Sequence, residues 1–232
     1  MTARTNEGGQ PIGEPVPGWT ARPRPPRTEI AGRYCRIEPL DPQRHASDLF
    51  GANARDATGR MWTYLAYGPF AQPEDYRAWV EKMTPSDDPL FHAIIDQATR
   101  KAVGIAAYLR IEPAVGVIEI GHIALSPLVQ RKPAATEAMY LMMRRVFDEL
   151  GYRRYEWKCD SLNAPSRAAA ARLGFRFEGI FRQATLYKDR NRDTAWYSIL
   201  DREWPARKSA FEAWLDPANF DAEGKQRLSL AR

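Results

Sequence analysis

The chain has 232 residues, 34 Lys and Arg against 29 Asp and Glu for a formal net charge of +5, and 44% hydrophobic residues, the profile of an ordinary globular protein with one sizeable core. No run approaches the roughly 20 uninterrupted apolar residues that span a bilayer, and "MTARTNEGGQPIGEPVPG" lacks the apolar centre of a signal peptide, so membrane insertion and export are not expected and the cytoplasm is the default compartment. Cys35 and Cys159 stand far apart in strand-like runs and read as buried free thiols, and His45, His92 and His122 are too scattered for a ligand set, so no metal is expected.

Residues 1–28 are rich in Pro and Gly with no period of 2 or 3.6 and read as an extended arm, ordered only by docking. From Glu29 the signals sharpen. "EIAGRYCRIEPL" reads as a strand, and "DPQRHASDLFGANA" as a helix with Asp41 at the N-cap and Pro42 at its first position. The aromatic loop "MWTYLAYGPF" follows. The next helix, "QPEDYRAWVEKM", carries Tyr76, Trp79, Val80 and Met83 on one face.

Three strands come in series, "LFHAIIDQ", "AVGIAAYLRI" and "VIEIGHIALSP", and the hairpin-length "ATRK" between the first two predicts an antiparallel meander. Then "SPLVQRKPAATEAMYLMM" turns into a helix with Met139, Met142, Met143, Val146, Phe147 and Leu150 on one stripe, stopped by Gly151. A strand "YRRYEWKC" after a crossover helix of this length lies parallel to the strand before it. A short helix, "APSRAAAARL", ends at Gly174-Phe175. A long hairpin, "FRFEGIFRQATLYKD" and "RDTAWYSILDREW", turns at "DRNR", and "PARKSAFEAWLD" reads as a peripheral helix. The order βααβββαβαββ implies an α/β fold with a mixed sheet and helices on both faces.

The helix that opens at Gln130, Arg131 and Lys132 places cations at the end where the helix dipole is already positive, a mild repulsion of a few tenths to about 1 kcal/mol. A bound polyanion reverses that sign. Free amides, the dipole and two bases then act on it together, with Ala134 and Ala135 small enough to let a phosphate reach the backbone of Thr136 and its neighbours. A solvated turn is the alternative.

Strand, "QRKPAATEA", helix, strand, "NAPS", helix, "LGF" and then "EG" before a hairpin resembles the GCN5-related N-acetyltransferase (GNAT) family. Within it, Asn163, Ser166, Leu173, Gly174, Phe175, Glu178, Gly179, Arg182, Asp193 and Trp204 match the pattern of the Rim-type ribosomal-protein alanine acetyltransferases. The resemblance covers about residues 29–204. It implies a mostly antiparallel twisted sheet of about seven strands with a parallel, splayed central pair, an arm at 1–28, the acetyltransferase domain at 29–204 and a helical extension at 205–232. In the family's Q/R-x-x-G-x-G/A pyrophosphate loop, Gln130, Pro133 and Ala135 fill the defined places, so a proline replaces the first glycine and removes one amide donor. Charge-assisted bonds from Arg131 or Lys132 would make up that loss.

What the resemblance implies is an acetyl-CoA dependent N-acetyltransferase in which a primary amine, a protein N-terminus or a small molecule such as an antibiotic or polyamine, attacks the thioester directly. Glu119 is the leading base and His122 its alternative. Strand alternation puts these two on opposite faces unless a bulge intervenes. Ser166 would sit at the sulfur, Asn163 at the pantetheine amide, and the backbone of Ile123 and Leu125 along the pantetheine arm. Trp62, Tyr64 and Thr185 are candidates for the acceptor side. A basic RNA- or ribosome-binding module is the reading from another class, though no RRM, KH or zinc signature supports it. Monomer and homodimer are left open.

Overall fold

The computed structural model describes residues 4–230. A small exposed hairpin, β1 (Arg4–Thr5) and β2 (Pro11–Ile12), starts the arm. The rest of the arm is ordered by docking: the Trp19 indole N–H donates to the Ala114 carbonyl at 2.7 Å, the Arg22 guanidinium stacks over its ring, and Arg27 bonds the carbonyls of Thr84 and Ser86.

The stretch read as one opening strand is two, β3 (Ile30–Ala31) and β4 (Cys35–Pro39), with a turn between them. Its cause lies far away in the chain. The buried carboxylate of Glu137 accepts the backbone N–H groups of Arg33 at 2.8 Å, Tyr34 at 2.6 Å and Cys35 at 2.7 Å. A Cβ on Gly32 would stand 2.6 Å from the same carboxylate, so glycine is required there.

Helix α1 (Pro42–Asn53) begins where Asp41 accepts from the N–H groups of Gln43 and Arg44, and α2 (Pro73–Met83) buries Tyr76 and Val80. Strands β5 (Leu90–Asp96), β6 (Ala102–Glu112) and β7 (Val117–Leu125) form the expected antiparallel meander. Helix α3 (Pro133–Arg144) crosses to β8 (Arg154–Asp160), which pairs with β7 in parallel. After α4 (Ala164–Arg172), strands β9 (Arg176–Tyr187) and β10 (Arg190–Leu200) form the long hairpin, and α5 (Trp204–Leu215) follows. The turn sits at Lys188 and Asp189, two residues earlier than the sequence suggests, with both residues at positive φ as a two-residue turn of this kind needs.

Eight strands, one more than expected, make the main sheet in the order β3-β4-β5-β6-β7-β8-β10-β9, and β7–β8 is its parallel pair. One face packs on α3, and the other carries α1 and α2 over β4 to β7. Two sequence expectations give way here. Helix α3 is buried on every side from Ala134 to Met143, not along one stripe, because the sheet covers one side and α5 the other. Correspondingly, α5 is not peripheral: Phe211, Trp214 and Leu215 join the core, with the Tyr140 and Phe211 rings 5.4 Å apart. Both cysteines are buried free thiols.

Candidate active site

Strands β7 and β8 are hydrogen-bonded only from Val117–Ile120 against Arg154–Trp157. Beyond Ile120 they part. The divergence leaves a gap in the middle of the sheet, with a different arrangement on each face.

On the α3 face a cavity of about 480 Å³ runs from Ile123 and Leu125 on β7 between α3 and α4, with Trp157 in its wall. Arg131 and Lys132 stand at its edge where α3 begins, and Lys132, the N-cap, makes no side-chain cap bond. Arg131 adopts φ 62, the left-handed conformation that lets the chain turn sharply into the helix. Gln130 plays a different part: its amide donates to the Leu125 carbonyl at 2.7 Å and ties the loop to the end of β7, which uses one backbone group expected along the pantetheine arm. Ala134, Ala135 and Thr136 form the first turn. Thr136 Oγ1 accepts from Arg172 at 3.1 Å, and burial lowers the Arg172 pKa. Sequence reasoning missed Arg172, since nothing in "AAAARLGF" says that the last turn of α4 faces α3. Among the described residues, no carboxylate lines this cavity.

Asn163 caps α4, its Oδ1 accepting from the Ser166 N–H at 3.1 Å. The Ser166 hydroxyl oxygen accepts from the Trp157 indole at 3.0 Å and so fixes that ring in the cavity wall. The hydroxyl also hydrogen-bonds the Cys159 thiol, whose pKa burial raises and this bond lowers.

The opposite face holds Glu119, buried beside the point where the strands part. Its Oε2 takes both Arg110 at 2.7 Å and Lys158 at 2.9 Å, which leaves Oε1 unclaimed by either cation. Lys158 also meets Glu156 at 2.7 Å, and Arg154 joins Glu156 at 2.6 Å and Glu178 at 2.8 Å. A ladder of alternating charge, its residues drawn from β6, β7, β8 and β9, thus runs along this face. Burial raises the Glu119 carboxyl above its usual range, against Lys158 and Arg110, which pull it down. Upward is the direction a general base requires.

Alternation put Glu119 and His122 on opposite faces, and a bulge overrides it. Between the pairs Ala107–Gly121 and Ile105–Ala124 the register slips, and His122 sits at φ 50. The inserted residue turns the His122 ring to the same side as Glu119, where it stacks on Tyr67 at 5.7 Å and tilts against Phe91 at 4.9 Å. Burial, then Arg110 and Arg192, lowers its pKa to about 4, so the imidazole is neutral at pH 7. Gly121 keeps the space between them: a Cβ there would lie 2.9 Å from Leu109 and 3.5 Å from Glu119 Oε1.

The aromatic loop closes over this face. Tyr64 donates to the Leu162 carbonyl at 3.1 Å and spans from the α1–α2 side to the turn after β8. Lys188 and Arg190, at the hairpin tip, donate to the carbonyls of Trp62 and Thr63. Trp62 itself is a buried plug, packed edge-on to Tyr67 and Phe70. Thr185 is exposed on β9 opposite Arg192 and is not brought into contact with Glu119 or His122. The deeply placed Asp160, accepting from Tyr187 at 2.7 Å, joins hairpin and β8 in a contact only the fold reveals.

A family model described as an acetyltransferase (GNAT) domain matches residues 35–176. The chain belongs to this family. It is an N-acetyltransferase, and similar proteins bear the same description. A GCN5-related N-acetyltransferase from Brucella melitensis is 53% identical, with 93% of this chain and 97% of that one covered and a TM-score of 0.91. The uncharacterized N-acetyltransferase YnaD of Bacillus subtilis (strain 168) is 28% identical over 141 residues, 61% of this chain and 81% of its own length. The fold also matches the Microcin C7 self immunity acetyltransferase MccE, solved in complex with acetyl-CoA and AMP, at a TM-score of 0.64 and 21% identity over 73% of this chain and 93% of that one. Among the described residues no group of three His, Cys, Asp or Glu side chains could hold a metal ion, and no helix is long and apolar enough to cross a membrane.

Proposed function

We propose that the protein transfers the acetyl group of acetyl-CoA to a primary amine at a protein N-terminus or on a small molecule, by direct attack in the gap between β7 and β8. One observation carries this reading: parallel strands part between a cationic helix start on one face and a buried carboxylate, Glu119, on the other. Acetyl-CoA supplies an activated thioester carbonyl. Arg131, Lys132 and the free amide of Ala134 hold its diphosphate, the Ala135 amide being bonded to the Lys132 carbonyl at 3.1 Å, and Ile123 and Leu125 flank the pantetheine arm. Pro133 costs one amide, and Arg172 joins Arg131 and Lys132 in offsetting that loss.

From the opposite face, the amine approaches over Gly121. Its lone pair forms the C–N bond, the C–S bond breaks, and the nitrogen gives up a proton toward Glu119 Oε1, directly or through water. Neutral His122 walls the approach and adds no positive charge to repel the amine. The Ser166 hydroxyl, turning from Cys159 Sγ, hydrogen-bonds the departing sulfur, which leaves as a thiolate and takes its proton from water. The two cations limit the proton affinity that burial gives Glu119, and that favours an amine needing little help. At pH 7 an α-amino group of pKa near 8 gives up its proton for roughly 1.4 kcal/mol, against roughly 4.6 kcal/mol for a lysine side chain near 10.4. The residue pattern from Asn163 to Trp204 supports placement in the Rim-type branch, whose acceptors are such termini. Tyr64 and the hairpin tip narrow the entrance in a way that suits a chain end or a compact amine.

Thermal stability with and without acetyl-CoA, followed by thiol release over a panel of peptide N-termini and small amines, tests the proposal. A stabilising shift and release with at least one terminal amine are expected. No shift and no release, together with RNA binding that falls steeply with salt, would transfer the chain to the binding-module class.

A further inference from the structure

The segment after α5 lies outside the matched family region, yet it builds part of the cavity wall. From Asp216 the chain makes a short turn, then doubles back so that Phe220 bridges Gln226. Several anchors hold this loop. Buried Asn219 donates to the Trp214 carbonyl at 2.9 Å and accepts from the Leu228 N–H at 2.7 Å. The Trp214 indole donates to Gln226 Oε1 at 2.7 Å, and the Asp221 carboxylate accepts from the Lys225 N–H at 2.7 Å. Phe220 packs edge-on against Tyr34, with ring centroids 6.3 Å apart. Fixed this way, the loop presents Phe220, Gly224, Lys225 and Gln226 to the same volume that Arg131, Lys132 and Arg172 border.

Four cations around one cavity, with no carboxylate in its lining among the described residues, exceed what a diphosphate needs. The Lys225 ammonium has no ion-pair or hydrogen-bond partner among the described residues. Arg172 is positioned in advance, bonded to Thr136 and stacked 4.8 Å over the Trp214 ring. CoA carries a second anionic group, the 3′-phosphate of its ribose, with close to two negative charges at neutral pH. With the diphosphate at the start of α3 and pantetheine running toward the split, the adenosine end falls on the side closed by Trp214, Phe220 and the loop. Resting on the acetyl-CoA reading above, we infer that this C-terminal loop is the adenosine wall of the donor site, and that Lys225 binds the 3′-phosphate and selects acetyl-CoA over donors that lack it.

The test compares acetyl-CoA with acetyl-3′-dephospho-CoA on the full chain, wild type, Lys225→Ala and Lys225→Arg, reading Kd by calorimetry and KM by thiol release. Lys225 is exposed, so its replacement leaves the fold intact. For acetyl-CoA, Lys225→Ala should weaken binding about tenfold, the loss of one charge-assisted contact of about 1.4 kcal/mol, and should leave the dephospho donor unchanged. Lys225→Arg should restore the preference. An unchanged ratio between the two donors in Lys225→Ala overturns the inference and leaves the acetyl-CoA reading standing. Tighter binding of acetyl-CoA by that variant also overturns it, since the loop would then be an obstruction. A wild-type protein that binds neither donor removes the acetyl-CoA reading and this inference together.

Discussion

On the α3 face Arg131, Lys132 and Lys225 stand around open volume whose lining, among the described residues, holds no carboxylate, whereas on the other face the charges from Arg110 through Glu119, Lys158, Glu156 and Arg154 to Glu178 each touch an opposite charge. The first arrangement is self-repelling until an anion arrives. The second is satisfied by itself, and burial costs it little only because the partners alternate. Unpaired charge beside open volume suits a ligand that would supply the missing partner, while paired charge forms a framework that holds the Glu119 carboxylate, the proposed proton acceptor, in place.

Among single substitutions, breaking the ladder should have the largest effect. Glu119→Ala leaves Lys158 and Arg110 without their shared carboxylate, and a loss on the order of 3 kcal/mol in denaturant unfolding is expected. The isosteric Glu119→Gln sharpens the point: turnover should fall about a hundredfold while acetyl-CoA affinity stays the same. Full activity in Glu119→Gln would take this carboxylate out of the proton path.

Acid should loosen the sheet next. Burial, then Arg145, lowers the His92 pKa from 6.5 to about 4, and burial lowers His122 to about 4 as well. Between those values the unfolded chain binds protons that the folded chain refuses, so stability is complete above pH 6.5 and falls as pH drops toward 4, by on the order of 3 kcal/mol per imidazole. A urea midpoint that is the same at about pH 7 and about pH 4.5 would contradict the burial of both rings.

On the open-cavity face the expected effects are on binding alone. Arg131→Ala and Lys132→Ala should each raise the KM for acetyl-CoA about tenfold, with less effect at high salt and no change in melting temperature. A pair of variants that bind the donor normally would show these bases to be merely solvated. The smallest change is Tyr64→Phe. Without the bond to Leu162 the loop should slacken, and the KM for the acceptor should rise about fivefold at constant KM for acetyl-CoA.

Much of the frame was readable in advance. Asp41-Pro42 announced the start of α1, the helical stripe and the strands on either side of it announced a crossover and hence the parallel pair, and Gln130 to Lys132 announced a cationic helix start. What escaped was everything that depends on register between distant strands. Lys158 reads as one polar residue in "YEWKC", and only the offset of β8 against β7 brings it to Glu119. Strict alternation separated His122 from Glu119, since no local signal in "EIGHIAL" places the extra residue at the bulge.

The same distinction divides the molecule as a whole. By itself, the sequence determined the order of helices and strands, the buried thiols and the helix start that repels its own dipole, because periodicity, caps and local charge act over a few residues. Only the tertiary structure decided that Glu119 is shared by two cations, that His122 faces it, that α5 is core and that Lys225 borders the cavity. Those outcomes depend on which strands meet, in which register, and on what closes a cavity from far along the chain.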